Sequence, residues 1–201
     1  MTTATPAISK LLLLACDQSY FDAQHPVSGH LQSLSDNTSN DPAYANPDIY
    51  RSTPQFEADG ICSSYTFYRT IERPGSGAKL VIYKNANNDV IVAFGGTDGA
   101  DAKDWVANSQ SVGWSQWAAL KQDISPSDKG LFGVLAELGS INQLNFTGQS
   151  LGGALAQYAA YEYVSNQRKA DQSGNYVPSK VSLTTFNGLG AVWGLTDNIK
   201  N

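Results

Sequence analysis

The sequence predicts an α/β protein in which helices flank a mostly parallel sheet. Three runs rich in aromatic and β-branched residues, at 63–72, 79–85 and 89–94, are separated by turn segments and predict adjacent strands of antiparallel character. Beyond them, helical patterns alternate with short apolar runs. Because strands that alternate with helices form crossover units, this second half predicts the parallel part of the sheet.

The length and composition are those of one globular domain. A chain of 201 residues can bury a substantial core, so we expect a single domain over residues 1–201. Hydrophobic residues make up 41% and charged residues only 15%. The net charge of −5, without clusters of Lys and Arg, argues against nucleic acid as a partner and favours small or neutral substrates.

The N-terminal stretch "ISKLLLLACDQSYFD" predicts a packed first helix. A secretory signal or a lipoprotein signal ending at Cys16 is less well supported, because the apolar run is short and only Lys10 precedes it. The position of Cys16 inside this apolar pattern favours a buried thiol over a bridge to Cys62. The Pro-, Asn-, Asp- and Ser-rich residues 25–60 predict a long polar loop.

Five further elements follow the three antiparallel strands. Their patterns predict helices at 99–120 and 127–141, a buried strand at 143–148, an Ala-rich amphipathic helix at 150–169 and a last strand at 180–188.

Ser150 lies where a strand turns directly into a long helix. Gly148 and Gly152 flank it and would permit a sharp, strained turn that exposes the hydroxyl, as in a nucleophile elbow. The alternative is a serine in a glycine-rich helix cap. If Ser150 is a nucleophile, the N–H of Leu151 at the helix N-terminus suits an oxyanion. Thr97, which follows a strand and two glycines, is the candidate for the second oxyanion donor.

Three segments resemble the class 3 lipases of the α/β-hydrolase fold, including bacterial lipase and phospholipase-like members. They are "VIVAFGGTDGADAKDW", "LNFTGQSLGGALAQ" and "VSLTTFNGLG", in the order and spacing of that family. The resemblance implies an α/β-hydrolase-like sheet, with Ser150 as nucleophile and Thr97 and Leu151 as the oxyanion hole. It also implies a lid region at 98–112, with Trp105 on or beneath the lid.

Two positions depart from the family pattern. Gly95 stands where the family commonly has Arg, and Gln149 stands where it commonly has His. Neither position belongs to the catalytic triad, so we expect local packing rather than chemistry to differ.

The histidine of a triad is missing from its expected place. The triad order in this fold is Ser, then Asp or Glu, then His. The two histidines of the sequence, His25 and His30, both precede Ser150 and lie in the polar loop. A serine hydroxyl without a base is a poor nucleophile at neutral pH.

The acid of a triad is also missing from its expected place. Glu162, Asp171 and Asp197 follow the serine, and none has the expected placement one strand further along. We therefore expect the domain to be incomplete at its C-terminus, with the strands that carry the acid and the histidine lying beyond Asn201. Such a sheet would present an apolar edge that favours aggregation or a partner.

The leading functional hypothesis is a serine carboxylester hydrolase acting on triglyceride or phospholipid through an acyl-enzyme at Ser150. The alternatives are a non-catalytic lipase-like domain that binds a lipid or a protein, and a structural domain. Expected partners are a lipid or ester substrate, a transient lipid interface and the protein's own C-terminal segment as a separate chain. We expect no metal and no cofactor. The composition favours a secreted enzyme, or otherwise a cytoplasmic one.

Overall fold

The computed structural model describes residues 6–19, 65–96, 113–171 and 180–191. The predicted polar loop at 25–60 and Cys62 lie outside these residues. The elements in chain order are α1 (Pro6–Gln18), β1 (Thr66–Arg73), β2 (Ala78–Lys84), β3 (Asp89–Phe94), α2 (Trp114–Lys121), α3 (Leu131–Glu137), β4 (Gln143–Gln149), α4 (Leu151–Ala170) and β5 (Val181–Phe186).

The five strands form one sheet in the order β1-β2-β3-β4-β5. The pairings β1–β2 and β2–β3 are antiparallel, and β3–β4 and β4–β5 are parallel. Short turns join the antiparallel strands, whereas helices connect the parallel ones, as the geometry of each pairing requires. The predicted α/β class is confirmed, with a mixed sheet.

Helices cover the sheet on both faces. Strand β3 is buried throughout: Ile91 and Ala93 pack with the leucines of α1, while Val92 and Phe94 pack in the opposite cluster with α2, α3 and α4. Burial on both faces accounts for the unbroken apolar run "VIVAF". A strand with one face in water would instead alternate apolar and polar residues.

The first helix is confirmed as a packed element. Cys16 in α1 is only 1% exposed and carries a thiol rather than a disulfide. Its Sγ lies 3.0 Å from the Oγ1 of Thr147 in β4, which ties α1 to the strand that leads to Ser150. Within the described part of the chain, no helix is long and apolar enough to cross a membrane.

Helices α2 and α3 are shorter than the sequence patterns predict. Gly113, with a φ of 75°, immediately precedes α2, and the predicted residues 99–112 lie outside the described ranges. Before α3, Asp128 and Ser125 form a turn, and the Asp123 carboxylate accepts the Gly130 N–H at 2.7 Å. Residues 127–130 therefore belong to a hydrogen-bonded loop, because local side-chain bonds compete with the helix.

Strand β5 lies at the edge of the sheet. Its one pairing among the described strands is with β4, and its residues are half-buried or exposed. Leu183 is 43% exposed although it faces the same side as buried Phe146. Among the described strands, β5 therefore forms an edge that carries an exposed apolar side chain.

Candidate active site

Ser150 has a strained backbone at the strand–helix junction that the sequence predicts to be a nucleophile elbow. It lies between the last residue of β4 and the first residue of α4, with φ 53° and ψ −123°. A serine at such angles costs about 1–3 kcal/mol and persists only where its surroundings hold it. The Ser150 N–H donates to the carbonyl of Phe186 at 3.2 Å, and the Ser150 carbonyl accepts from Gly153 and Leu189, both at 3.0 Å.

The hydroxyl of Ser150 does not cap the helix. An ordinary N-cap serine has an extended backbone, and its side-chain oxygen accepts a bond from an N–H of the first turn. Ser150 has neither feature, since its φ is positive and its side chain makes no capping hydrogen bond. This geometry differs from that of a simple glycine-rich cap, and the Ser150 residue is half-buried.

Two glycines allow the elbow to fit between a helix and two strands. A Cβ on Gly148 would overlap the carbonyl of Gly152, one turn into α4. A Cβ on Gly152 would in turn overlap the carbonyl of Phe94, the last residue of β3. The start of α4 thus packs main chain against main chain, and this contact places the end of β3 beside Ser150.

Leu151, which the sequence predicts as an oxyanion donor, lies at the N-terminus of α4. It is the first residue of α4, where N–H groups lack intrahelical acceptors and the helix dipole is positive. Thr97 lies outside the described residues. In the sequence it is the third residue after Phe94, whose carbonyl contacts α4.

The surroundings of Gly95, directly after β3, explain one departure from the lipase pattern. A Cβ on Gly95 would lie 2.9 Å from the main-chain oxygen of Ser19, just after α1. The C-terminal end of α1 therefore occupies the space that a side chain at position 95 would need.

Helix α2 runs alongside α4 in the same direction. Gly113 lies against Leu151 and Leu155, and the Trp114 ring packs edge-on against Tyr158 at 5.4 Å. Both described ends of the segment 97–112, Gly96 and Gly113, are therefore near the first turns of α4. Trp105, the residue predicted for the lid, lies within that segment and outside the described residues.

Tyr158 contributes an apolar wall to this helix pair. The residue is 1% exposed, and its hydroxyl has no hydrogen-bond partner among the described atoms. Burial raises the pKa of the Tyr158 phenol. The group is consequently neutral near Ser150 and is no candidate for a general base at neutral pH.

The hydrogen-bond partners of the Glu162 side chain lie on helix α2. Its carboxylate accepts from the indole N–H of Trp117 at 2.9 Å, and both its oxygens lie 3.0 Å from Nζ of Lys121. Twelve positions of helix separate it from Ser150, about 18 Å at the α-helical rise. This distance removes Glu162 as the triad acid.

Asp171, the other described acid that follows Ser150, does not approach the elbow. Asp171 caps the C-terminus of α4, at the far end of a helix of 20 residues, about 30 Å long. Asp197, His25 and His30 lie outside the described residues. Among the residues that are described, no three His, Cys, Asp or Glu side chains are grouped to hold a metal.

Gln157 is a positioning residue that the sequence reasoning missed. Its Nε2 donates to the carbonyls of Gly153 at 3.1 Å and Leu189 at 2.9 Å, and its Oε1 accepts the N–H of Ala191 at 3.2 Å. Together with the bond from Leu189 to Ser150, these contacts hold the segment after β5 against the elbow helix. A glutamine amid alanines on a helix was the available signal.

Comparison with known proteins identifies the fold. No family model and no curated protein sequence matches the chain. Among solved structures, a lipase from Rhizopus microsporus var. chinensis superposes with a TM-score of 0.52 at 16% identity, over 94% of this chain and 60% of that one. A Rhizomucor miehei lipase in a propeptide complex gives 0.51 at 13% identity, over 92% and 54%. The chain thus has a lipase-like fold and spans less than two thirds of either lipase.

Proposed function

We propose that this chain carries the nucleophile of a serine carboxylester hydrolase that acts on lipids, either triglyceride or phospholipid. The observation that carries the proposal is the main chain of Ser150, which is held at positive φ by three hydrogen bonds and whose side chain does not cap the helix. Strain of this kind clusters at functional sites, because it must be compensated elsewhere in the fold. The lipase-like fold agrees with this function but does not establish it.

In the proposed reaction, Oγ of Ser150 forms a bond to the carbonyl carbon of the ester while its proton passes to a histidine base. The negative charge on the former carbonyl oxygen is stabilised by the N–H groups of Leu151 and Thr97. The C–O bond to the alcohol then breaks, and the histidine proton leaves with that alcohol. Water attacks the acyl-enzyme in the same way and releases the carboxylic acid.

We place the acid and the histidine in a segment that follows Asn201, on the same polypeptide or on a second chain. No histidine follows Ser150 in the sequence, and neither Glu162 nor Asp171 can reach it. The edge of β5 without a partner in the described sheet also supports this placement, since a further parallel strand would cover it.

The proposal also includes Trp105 in a segment over the elbow and brief contact with a lipid interface. Its support is positional: Gly96 and Gly113, the described neighbours of segment 97–112, both lie beside the start of α4. Export from the cell belongs to the same proposal, because triglyceride and phospholipid surfaces are accessible to a secreted enzyme.

A fluorophosphonate probe tests the nucleophile directly, because stable labelling requires an activated hydroxyl. The natural gene product should be labelled at Ser150, and Ser150→Ala should abolish labelling. Ser115→Ala is the matched control, since Ser115 is an exposed serine of α2 and its loss should leave the rate unchanged. Absence of labelling in a product that contains both an acid and a histidine after Asn201 would contradict the proposal.

The intact mass of the natural product tests the placement of the acid and histidine separately. We expect a polypeptide larger than 21.5 kDa, or a second chain that copurifies. Full esterase activity from residues 1–201 alone would refute that placement without affecting Ser150.

The absence of a histidine after Ser150 favours one other function, a non-catalytic lipase-like domain that binds lipid or protein. In that case fluorophosphonate would not react with any form of the protein, and Ser150→Ala would bind lipid vesicles as the unaltered protein does.

A further inference from the structure

The helices and strands line a half-open cavity at the end of the sheet opposite Ser150. It has a volume of about 440 Å³ and lies between α3, α4 and the first residues of β4 and β5. Leu144 lines it near the start of β4, and Ser150 follows the end of the same strand. At the rise of an extended strand, the six intervening steps place the cavity about 20 Å from Ser150.

The interior of the cavity is apolar. Leu135 is 4% exposed and Leu144 is 1% exposed, and the rings of Phe132 and Tyr163 lie 6.4 Å apart along one wall. A volume of this size falls within the range of about 300–1,000 Å³ that is typical of small-molecule sites. The apolar lining consists of Phe132, Leu135, Ile141, Leu144, Tyr163 and Val181.

The polar groups of the cavity lie at its mouth and favour an anion. Asn166, Gln167 and Lys180 line it and are exposed, and among the described residues of the lining Lys180 alone carries a formal charge. The Lys180 main chain is fixed, because its carbonyl accepts the N–H of Leu144 at 2.6 Å. Lys180 therefore gives the mouth a positive charge in a chain of net charge −5.

We infer that this cavity binds an amphiphile with one apolar tail and a carboxylate head, a medium-chain fatty acid. The tail would replace water against the apolar lining, which is favourable in proportion to the apolar area buried. The carboxylate would remain at the mouth, where Lys180 pairs with it and Asn166 donates from its amide. This site lies apart from Ser150, and the binding does not depend on the proposed hydrolysis.

Titration calorimetry of the natural gene product with decanoate below its micelle concentration tests the site. We expect saturable binding of one decanoate, and Lys180→Met should weaken it about tenfold, the equivalent of one charge-assisted hydrogen bond. Lys169→Met is the matched control, because Lys169 is an exposed lysine that does not line the cavity. Equal affinity of the two variants would overturn the role of Lys180.

Two further variants locate the binding. Asn166→Trp places a bulky ring at the mouth and should abolish binding, whereas Ala170→Trp, also exposed on α4 but outside the lining, should not. Retained binding in a folded Asn166→Trp protein would overturn the inference.

Calorimetry with decanoate also tests whether the chain's own residues 172–179 occupy the cavity. Replacing Tyr176 and Val177 with serine should leave decanoate binding unchanged if the cavity is a ligand site. Saturable binding that arises only in this double variant would assign the cavity to the chain's own residues 172–179 and overturn the inference.

Discussion

Replacing Gly152 with alanine tests whether main-chain packing produces the elbow. A Cβ at this position would overlap the carbonyl oxygen of Phe94 and lie 3.0 Å from its carbonyl carbon. These atoms belong to the backbone of a fully buried strand, so no side-chain rotation can relieve the overlap. Helix α4 would have to move away from β3, and Ser150 would move with it.

The expected cost follows from two opposing effects. Overpacking of a buried site costs about 1–3 kcal/mol, and a rigid backbone obstacle places this position near the upper end. Alanine is favoured over glycine within a helix by about 1 kcal/mol, which offsets part of the strain. The net loss in the free energy of unfolding is therefore about 2 kcal/mol, which lowers the melting temperature by about 6 °C for a domain of this size.

Thermal unfolding followed by circular dichroism measures this loss. Gly75→Ala is the matched control, because no atom lies within 4 Å of a Cβ at Gly75, so the change should stay within about 0.5 kcal/mol of the unaltered protein. Gly152→Ala should also slow the fluorophosphonate labelling of Ser150. A melting temperature equal to that of the control variant would refute the argument from main-chain packing.

Three further predictions concern groups away from the elbow. The thiol of Cys16 should react with maleimide only after unfolding, because it is 1% exposed, and mapping of the labelled peptide in native buffer would detect the contrary. Glu162→Gln keeps an acceptor for the Trp117 indole but loses the ion pair with Lys121, so denaturant unfolding should show a loss of about 0.5 kcal/mol. Fluorophosphonate labelling should be unaffected by this change, and a large fall would restore Glu162 as a catalytic candidate. Burial raises the pKa of Tyr65 to about 12, so stability should fall as the pH rises from the ordinary value of 10.0 towards 12. Unfolding of Tyr65→Phe across this pH range should show a smaller loss, and an identical loss would contradict the assignment.

The sequence pattern was sufficient to predict those elements whose structure follows from the periodicity of their own residues. Strand β3 has the predicted bounds of 89–94, because an unbroken apolar run suits a strand that is covered on both faces. The position of Ser150 between a strand and a helix was predicted from an apolar run that is followed directly by an Ala-rich helical pattern. Both features depend on residues that are adjacent in sequence.

The role of Glu162 depended on contacts across the sequence. As a pattern it was one of three acids after the serine, but in the structure its carboxylate binds Trp117 and Lys121, from a different helix. The hydrogen bonds of Gln157 to the segment after β5 could not be predicted either. The sequence of an Ala-rich helix does not indicate which loop packs against it.

The sequence by itself determined the fold class, the order of the elements and the position of Ser150 between a strand and a helix. These follow from the periodicity of apolar residues, which acts within a few residues. Only the tertiary structure decided that Ser150 is held at positive φ without capping α4, because its partners Phe186 and Leu189 are brought there by the pairing of β5 with β4. It also decided that Glu162 belongs to the contact between α2 and α4, because a side chain's partner is set by packing between segments that are distant in the chain.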